Sequence, residues 1–502
     1  MTEVMLAVDL GTGSIRAAAI TARGETVCAA QEPLSVAEPF PGWAEIDPAL
    51  WWQGLRTTIG AVLDRLAPEQ RPAALCIGGV TRSQVLLDAE DRLLRPAILF
   101  RDRRAEHVAA RIAAELPTEN PAEAISAFHP FARLAWLMTH EADVFDRCAT
   151  LLEPKDYLNW RLTGIKAADG VTYSRFDAFT QRGQPRPDWL RRIMKLVSPP
   201  LLMPWQDLGT VSCPEPPFDR LRGLPVMAGA MDTWATAAGA GAVAPGQGYD
   251  VAGTSEAVGL VTASRLGVSG LVSVRWGEAV YQLGGPTQIG ADAAAWAHAN
   301  FRLRGSLAAA IERAGARIPN EELPLFLPYL QGERAPVWRS DLRGAFWGLG
   351  RGLDAEGLLW STMEGVAHSV RDILDTARAA TGEHLDEIRI CGGGAQSDGW
   401  CQLKADVCGT PVVRTVPKET GLIGAALCAA VGLGHHADLN AAAGAMCRID
   451  RVFEPSEPLR AFFERRVRRY RKLKQFALAL ADQPALQVVE DAPGSRHSRE
   501  AT

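Results

Sequence analysis

The amino-acid sequence predicts an α/β protein composed of two similar domains. The first observation is the length: 502 residues exceed what one hydrophobic core usually covers. The second is a repeated pattern in which an apolar strand ends in a Gly-Thr-Gly/Ser turn and resumes as another apolar strand, once near residue 10 and once near residue 253. The third is the alternation of strand-like and helix-like segments, which is typical of α/β folds.

The two Gly-Thr turns are the most informative feature of the chain. The turn residues are Gly11, Thr12, Gly13 and Ser14 in the first copy and Gly253, Thr254 and Ser255 in the second. Glycine lets a backbone turn close to a ligand, and successive amides and hydroxyls donate hydrogen bonds to phosphate oxygens. A single such turn is most often a plain hairpin. Its repetition half a chain later predicts a duplicated fold that binds the phosphates of ATP.

The other elements follow from periodicity and from turn residues. In chain order we predict a turn-rich passage at 41–48, a helix over 49–66, buried strands over 74–80, 84–88 and 224–230, a helix over 356–380, a strand over 388–391 and an amphipathic helix over 458–480. Ala-Pro-Gly at 244–246 places the boundary between an N-terminal domain, 1–244, and a C-terminal domain, 245–483. Residues 484–502 lose the apolar periodicity and are expected to be mobile.

Composition excludes several classes of function. A net charge of −5 and a pI near 6.1 give no support for a nucleic-acid or anionic-membrane partner. No apolar run approaches the about 18 residues of a membrane helix, and no secretory signal is visible, so a cytoplasmic location is expected. The nine cysteines lack a C-x-x-C pair and are interpreted as buried reduced thiols. For the Arg/Lys run at 465–474, a solvated helix face is favoured over nucleic-acid contact.

Two aspartates at strand ends are candidates for the chemistry. Asp9 precedes the first turn, where a carboxylate would repel phosphate unless a cation lay between them, so it is a candidate Mg²⁺ ligand; the alternative is a cap of the turn's own amides. Asp232 follows the strand over 224–230. It is a candidate general base for transfer of a phosphoryl group to an alcohol, and an N-cap role is compatible with that.

A run of three glycines after the strand over 388–391 points to the nucleotide. Gly392, Gly393 and Gly394 lead into Ala395 and a helix, and this strand, turn and helix order contacts nucleotides in many α/β folds. A plain left-handed connection would need only one glycine. No Walker A loop, His-Glu-x-x-His or Gly-x-Ser-x-Gly motif surrounds a candidate site, so any ATP chemistry uses another architecture.

In order, the motifs resemble those of the FGGY carbohydrate kinases over nearly the whole chain. They are the segments that begin at Asp9, at Pro41-Gly42-Trp43, at Gly229, at Gly253, at Gly332-Glu333-Arg334-Ala335-Pro336 and at Gly392. The resemblance implies two actin-like, ribonuclease-H-like domains with ATP and a sugar in the cleft between them. It further implies an ATP-dependent kinase of a small sugar, with the xylulokinase-like subgroup favoured.

The resemblance also implies roles for individual residues. Asp232 would be the catalytic base, Asp9 and Asp232 would hold Mg²⁺, and the two turns would hold phosphates. Gly290, Gly393, Gly394, Ala395 and Asp398 would line the nucleotide site. The expected partner is a small-molecule sugar, with no nucleic acid and no membrane, and a homodimer is left open.

On the sugar side the sequence departs from the best-known relatives. Thr81 and Arg82 stand where xylulokinases carry a Gln-Met-His-Gly stretch, and Thr233 replaces the usual Asn or Gln after the base. Arg82, Asp102, Thr81 and Thr233 are therefore candidate substrate residues, although Arg82 and Asp102 could instead pair with each other or with Arg104. Glycerol, erythritol or another polyol or ketose remains an alternative substrate. An actin-like ATPase or an inactive sugar sensor is the alternative of another class.

Overall fold

The fold is known from a computed structural model, which describes residues 1–176, 187–196, 200–416 and 418–483. The segment predicted to be a mobile tail, 484–502, lies outside the described residues. Each half of the chain is organised around one large mixed β-sheet covered by helices. This is the predicted α/β class.

The N-terminal sheet has six strands in the order β11-β12-β5-β1-β2-β3. The strands of the N-terminal half are β1 Thr2–Leu10, β2 Ser14–Thr21, β3 Thr26–Pro33, β4 Glu45–Ile46, β5 Gln70–Gly79, β6 Val85–Leu87, β7 Ala97–Ile98, β8 Thr150–Leu152, β9 Ala168–Asp169, β10 Leu201–Leu202, β11 Asp207–Thr210 and β12 Pro225–Met227. Strand β1 pairs antiparallel with β2 and parallel with β5, so Asp9 lies opposite both Arg16 and Gly78.

The C-terminal sheet has seven strands in the order β15-β16-β14-β13-β19-β20-β21. The strands of this half are β13 Gln247–Ala252, β14 Glu256–Thr262, β15 Val272–Arg275, β16 Tyr281–Pro286, β17 Leu325–Leu327, β18 Ala345–Trp347, β19 Glu387–Cys391, β20 Val412–Thr415 and β21 Ile449–Phe453. Within it, β16-β14-β13-β19-β20 repeats the order and the directions of β3-β2-β1-β5-β12. The predicted duplication is therefore visible in the topology.

The helices of the described residues cover both sheets. They are α1 Pro48–Leu63, α2 Glu106–Glu115, α3 Pro130–His140, α4 Ala142–Arg147, α5 Pro154–Thr163, α6 Gly170–Tyr173, α7 Asp188–Leu196, α8 Asp232–Gly239, α9 Asp292–Asn300, α10 Leu307–Gly315, α11 Ala355–Thr381, α12 Asp398–Cys408, α13 Thr420–Gly432, α14 Leu439–Met446 and α15 Arg460–Ala481. Their ends carry ordinary signals. Asp47 caps α1 ahead of Pro48, and Asp354 caps α11.

The two halves share a hydrophobic core at the base of the cleft. Helix α13 belongs to the second half of the chain, yet it packs on β1 and β5 of the first sheet and on α8. The contact is very close because glycine faces backbone: a Cβ on Gly424 would lie 1.9 Å from the Ala235 carbonyl oxygen, and one on Gly239 would lie 1.9 Å from that of Thr420. Helices α8 and α13 therefore connect the two sheets, and the domain limits at 244 and 245 stay a prediction.

Three predictions from composition and charge can be compared with the structure. All nine cysteines are free, and eight of them are buried. Among the residues that the structure describes, no helix is both long and apolar enough to cross a membrane. In the basic run of α15 the prediction of a solvated face fails at Arg466, which is 1% exposed and forms an ion pair with the buried Glu364.

Candidate active site

The first turn joins β1 to β2 and is partly open to solvent. The Gly11 N–H donates to the Ser14 carbonyl at 2.9 Å, and the Leu34 N–H donates to the Gly13 carbonyl at 2.9 Å. These bonds fix the turn from within and from β3, while the hydroxyls of Thr12 and Ser14 accept or donate no hydrogen bond among the described residues. They are available to a ligand.

The second turn has the same place between β13 and β14. Helix α9 begins directly against it: the Gly290 N–H donates to the Thr254 carbonyl at 2.8 Å, and the Ala291 N–H donates to the Gly253 carbonyl at 2.9 Å. A Cβ on Gly290 would lie 2.6 Å from Cγ of Glu256. Glycine at 290 is thus required for α9 to approach the turn.

The glycine run packs on the other side of this turn. Gly392 has a φ of +87°, and a Cβ there would lie 2.7 Å from the Ala252 oxygen. A Cβ on Gly394 would lie 2.9 Å from Cβ of Ala252, whereas one on Gly393 would meet nothing within 4 Å. Two of the three glycines are therefore explained by packing on β13, so the run by itself is a weaker argument for a ligand than the sequence suggested.

Asp398 is already paired in the structure. It is the first residue of α12, capped by Ser397, and its carboxylate meets Arg414 at 2.8 Å and also Arg451. A nucleotide would have to share this carboxylate with two guanidinium groups. Ala395, by contrast, is buried and its carbonyl accepts from Arg414 at 2.9 Å.

Asp9 lies at the end of β1 beside the first turn. Burial, and after it the negative charge of Asp232, raise its pKa to about 6 against the opposing charge of Arg16. Arg16 lies 3.6 Å from Asp9 and 2.9 Å from Glu419, the residue before α13. The pairing in the second hairpin puts Val251 in the place that Asp9 has in the first. Of these two equivalent positions, only the one in the first half carries a carboxylate.

Asp232 is the first residue of α8 and is half-buried. The structure makes Met231 the N-cap, so Asp232 is not one; its Oδ1 accepts instead from the Thr233 N–H at 2.7 Å and from the Thr233 hydroxyl at 3.3 Å. Burial raises the pKa of Asp232 to about 6, while Thr233 and the charge of Arg82 act in the opposite direction. A carboxylate whose pKa lies near neutrality suits a general base.

Arg82 and Thr81 lie on the same side of the cleft as Asp232. Arg82 is exposed, and its charge reaches the Asp232 carboxylate. Its backbone has a φ of +58°, and its carbonyl accepts from the buried guanidinium of Arg133. A non-glycine residue held in this conformation stores strain that surrounding structure must offset, as is common at functional sites. Thr81 is next to it and half-buried.

The interpretation of Asp102 as a substrate residue is wrong. Its side chain is fully buried, and both oxygens are occupied: it accepts from the Ala44 N–H at 2.6 Å and from Arg104 at 2.9 and 2.8 Å. Arg104 lies 3.7 Å above the Trp43 ring and 2.7 Å from Glu45. The alternative, a pair of Asp102 with Arg104, is therefore correct, and the pair lies in the interior. Its contacts with Trp43 and Glu45 give the Pro41 to Pro48 segment a structural role.

Sequence reasoning missed several charged residues behind the site. Lys155 is buried between Asp156 and Asp169 in the first half, and Lys404 is buried between Asp250 and Glu256 in the second. These residues form no spaced motif, so only the fold brings them together. For Asp169 a signal existed, since Asp-Gly before a short apolar segment is typical of a helix start.

The fold and this site define a class of protein. Two phosphate-type turns from duplicated halves, with strand-end carboxylates beside the first, form the cleft of a two-domain phosphotransferase that uses ATP.

The comparison with known proteins gives the family. Residues 4–195 and 248–433 match the N-terminal and C-terminal domains of the FGGY family of carbohydrate kinases. A xylulose kinase of Escherichia coli (strain K12) is 30% identical over 416 residues, 80% of this chain and 84% of the relative. A glycerol kinase of Citrifermentans bemidjiense is 29% identical, over 90% of this chain and 94% of the relative. The crystal structure of xylulose kinase from Rhodospirillum rubrum has a TM-score of 0.86 at 25% identity, over 96% of this chain and 100% of that one.

The chain belongs to the FGGY family of carbohydrate kinases. It is an ATP-dependent enzyme that phosphorylates a hydroxyl group of a small sugar. The predicted family and the two-domain actin-like fold are confirmed.

Proposed function

We propose that this kinase phosphorylates a pentulose such as xylulose, with Asp232 as the general base. The observation that carries the proposal is the placement of Asp232, half-buried with a pKa raised to about 6, within electrostatic reach of Asp9 and Arg82. The Asp232 carboxylate accepts the proton of the sugar hydroxyl as that oxygen attacks the terminal phosphorus of ATP. The bond from that phosphorus to the bridging oxygen breaks, and ADP leaves.

The two aspartates also fit a magnesium ion. Mg²⁺ prefers oxygen ligands and keeps several waters, so it is usually bound by one or two carboxylates and the substrate phosphates. Asp9 and Asp232 supply such carboxylates. Burial is the main cause of the raised pKa of Asp9 and the charge of Asp232 is the second, so a cation between the two carboxylates would be favoured. When bound, the ion would neutralise phosphate charge. No cluster of three or more acidic, His or Cys side chains suited to a metal occurs in the described part of the chain.

For the nucleotide we propose that the two turns hold the phosphates and that the second turn is the centre of the site. Gly290 packs against this turn on one side, and Gly394 packs on the other side against Ala252, the residue before the turn. The adenine would lie along this surface, with Asp398 at its edge.

On the sugar side we propose Thr81, Arg82 and Thr233 as substrate contacts. Arg82 is exposed beside Asp232, and a guanidinium offers a fork of fixed donors to neighbouring hydroxyls. The xylulose kinases among the relatives support a pentulose, and the glycerol kinases support glycerol as the second candidate. A cytoplasmic location belongs to the same proposal.

Replacement of the base tests the mechanism. Asp232→Asn keeps the size of the side chain but cannot take up the proton, so we expect kcat to fall on the order of 10²-fold or more while ATP still binds. ADP release would be measured over a panel of C3 to C7 polyols and ketoses, with Asp219→Asn, an exposed position, as the control. Near wild-type turnover of Asp232→Asn would remove Asp232 from the mechanism, and a preference for glycerol would replace xylulose as the substrate.

A further inference from the structure

The segment that carries Asp232 is held by hydrogen bonds at nearly every backbone group. The Ala228 carbonyl accepts from Nζ of Lys155 at 3.3 Å and from Nδ2 of Asn159 at 3.0 Å. The Ala230 carbonyl accepts from the Gly79 N–H at 3.1 Å. A loop whose polar groups are this fully paired has little freedom, so the position of the carboxylate that follows it depends on these partners.

The backbone amide directly before Asp232 is bonded by a side chain on α6. The Met231 N–H, one residue before Asp232, donates to Oγ1 of Thr172 at 3.0 Å. Thr172 is 1% exposed. No other side chain among the described residues bonds to this amide.

Thr172 is itself held by the buried charges behind the site. Its own N–H donates to Oδ1 of Asp169 at 2.7 Å, and Oδ2 of Asp169 lies 2.8 Å from Nζ of Lys155. Lys155 also donates to the Ala228 carbonyl. The same lysine therefore supports both Asp169, which bonds Thr172, and the loop before Asp232. The hydroxyl of Thr172 is thus fixed relative to the loop that it bonds.

The same short segment also touches the other half of the molecule. Oγ of Ser174, two residues after Thr172, donates to the Val171 carbonyl at 2.8 Å and accepts from the Arg275 N–H at 3.1 Å. Arg275 ends β15 of the C-terminal sheet. Residues 170–174 therefore bond to the catalytic loop on one side and to the nucleotide-binding half on the other.

We propose that Thr172 is a positioning residue for phosphoryl transfer, because its hydrogen bond to the Met231 amide keeps Asp232 at the cleft. Ser174, in the same segment, connects this contact to the C-terminal domain. The inference rests on the proposed role of Asp232. A displacement of the base by a fraction of an ångström reduces turnover because the proton acceptor must lie within hydrogen-bond reach of the sugar hydroxyl. Thr172 is buried and is not among the residues proposed to bind ATP, so the KM for ATP should not depend on it.

Thr172→Val tests the proposal with little change of shape. Loss of the acceptor leaves the buried Met231 N–H unpaired, and we expect kcat to fall about 10- to 100-fold, with the KM for ATP within about twofold of wild type. Thr172→Ser keeps the hydroxyl and is expected to restore kcat to within about threefold of wild type. Circular dichroism and thermal denaturation would establish that each variant is folded.

A second pair keeps the test decisive if Thr172→Val does not fold. Thr172→Ala and Thr172→Ser differ only by the hydroxyl, so a kcat about tenfold or more lower in the Ala variant supports the proposal. Equal kcat values for Thr172→Ala and Thr172→Ser, or a wild-type kcat for Thr172→Val, would overturn it. A change in KM with an unchanged kcat would also overturn the proposal.

Asp232→Asn measured in parallel separates the two proposals. An inactive Asp232→Asn with a fully active Thr172→Val would overturn the positioning role alone. An active Asp232→Asn would overturn the assignment of the base, whatever Thr172 does.

Discussion

At the scale of single residues, the site is governed by two carboxylates that are costly to ionise. Burial raises the pKa of both Asp9 and Asp232 to about 6. A carboxyl group whose folded-state pKa is raised stabilises the fold only while it is protonated, so its contribution is lost as pH rises through about 6. At neutral pH the charged forms are kept for function at the expense of stability.

The first prediction concerns the pH dependence of kcat/KM. If Asp232 is the base as proposed, it accepts a proton only when ionised, so activity should fall on the acid side of about pH 6, to about a tenth of its plateau at pH 5. Arg82→Met removes a positive charge that lowers the pKa of Asp232, and it should move the acid limb to higher pH. The measurement is a pH profile of ADP release at saturating Mg²⁺. A limb that stays in place in Arg82→Met would show that Arg82 does not face the base.

The second prediction follows from the interior position of Asp102. Asp102→Asn should lower the free energy of unfolding by about 3 kcal/mol, because it breaks a buried ion pair and presents an amide N–H₂ to Arg104. The KM for sugar should not change. Denaturant unfolding and kinetics would be compared with Glu38→Gln, which breaks the exposed pair with Arg101 and should cost less than about 1 kcal/mol. A raised sugar KM without lost stability would restore Asp102 to the pocket.

At the scale of elements, helices α8 and α13 determine how the two halves meet. Their contact is backbone against backbone at Gly239 and Gly424, with alanines around them. Such small residues allow two helices to approach without interlocking side chains, and a methyl group at the contact forces them apart.

The third prediction tests this helix contact. A Cβ at Gly424 would lie 1.9 Å from the Ala235 oxygen, so Gly424→Ala should lower the free energy of unfolding by about 1–3 kcal/mol or more. Gly444→Ala is the matched control, since a Cβ there meets nothing within 4 Å; in helix α14 it should be neutral or stabilising by up to about 1 kcal/mol. Thermal unfolding of both variants gives the comparison. Equal free energies of unfolding for the two variants would show that the helices can move apart without loss of stability, and would contradict the prediction.

Particular elements show what the sequence could and could not predict. The two hairpins and the helices over 49–66, 356–380 and 458–480 were predictable because glycine and apolar periodicity leave local signals. The roles of Asp9 and Asp232 stay predictions. The prediction that Asp102 binds substrate failed. Its partner Arg104 is close in sequence, but the packing of this pair on the distant Trp43 decides whether it faces solvent or the interior, and the sequence does not show that packing. Thr172 was missed because it is 59 residues from Met231 in the sequence, and only the fold brings its hydroxyl to the Met231 amide.

At the scale of the whole molecule, the side chain of Asn120 joins the two halves through hydrogen bonds. Asn120 donates to the Val268 and Leu271 carbonyls at 3.1 and 2.9 Å and accepts from the Gly270 N–H at 2.9 Å. Asn120 belongs to the N-terminal half and its three partners to the C-terminal half. These hydrogen bonds connect the two halves in addition to the contact of α8 with α13.

The fourth prediction concerns closure. Asn120→Ala loses three hydrogen bonds between the halves, so the closed form should be destabilised by about 1–3 kcal/mol, and more ATP should be hydrolysed without transfer to sugar. Small-angle scattering with sugar and a nonhydrolysable ATP analogue should show a larger radius of gyration than wild type. Asn300→Ala is the control, because Asn300 bonds only within its own helix. Identical scattering of the two variants would contradict the prediction.

The valine at 251, opposite in the duplication to Asp9, has a consequence for the direction of the reaction. Two identical halves would offer the same chemistry to both ends of a bound nucleotide, and the ligand could lie in the cleft either way round. At the equivalent positions beside the two turns, the first hairpin has a carboxylate and the second an aliphatic side chain, and the carboxylates Asp250 and Glu256 of the second hairpin are paired with Lys404. If Asp9 holds a cation as proposed, only one end of the phosphate chain meets it. Under the proposed site assignment, divergence at this one pair of positions gives a polarity to an otherwise two-fold repeated architecture and sets the direction in which the nucleotide lies.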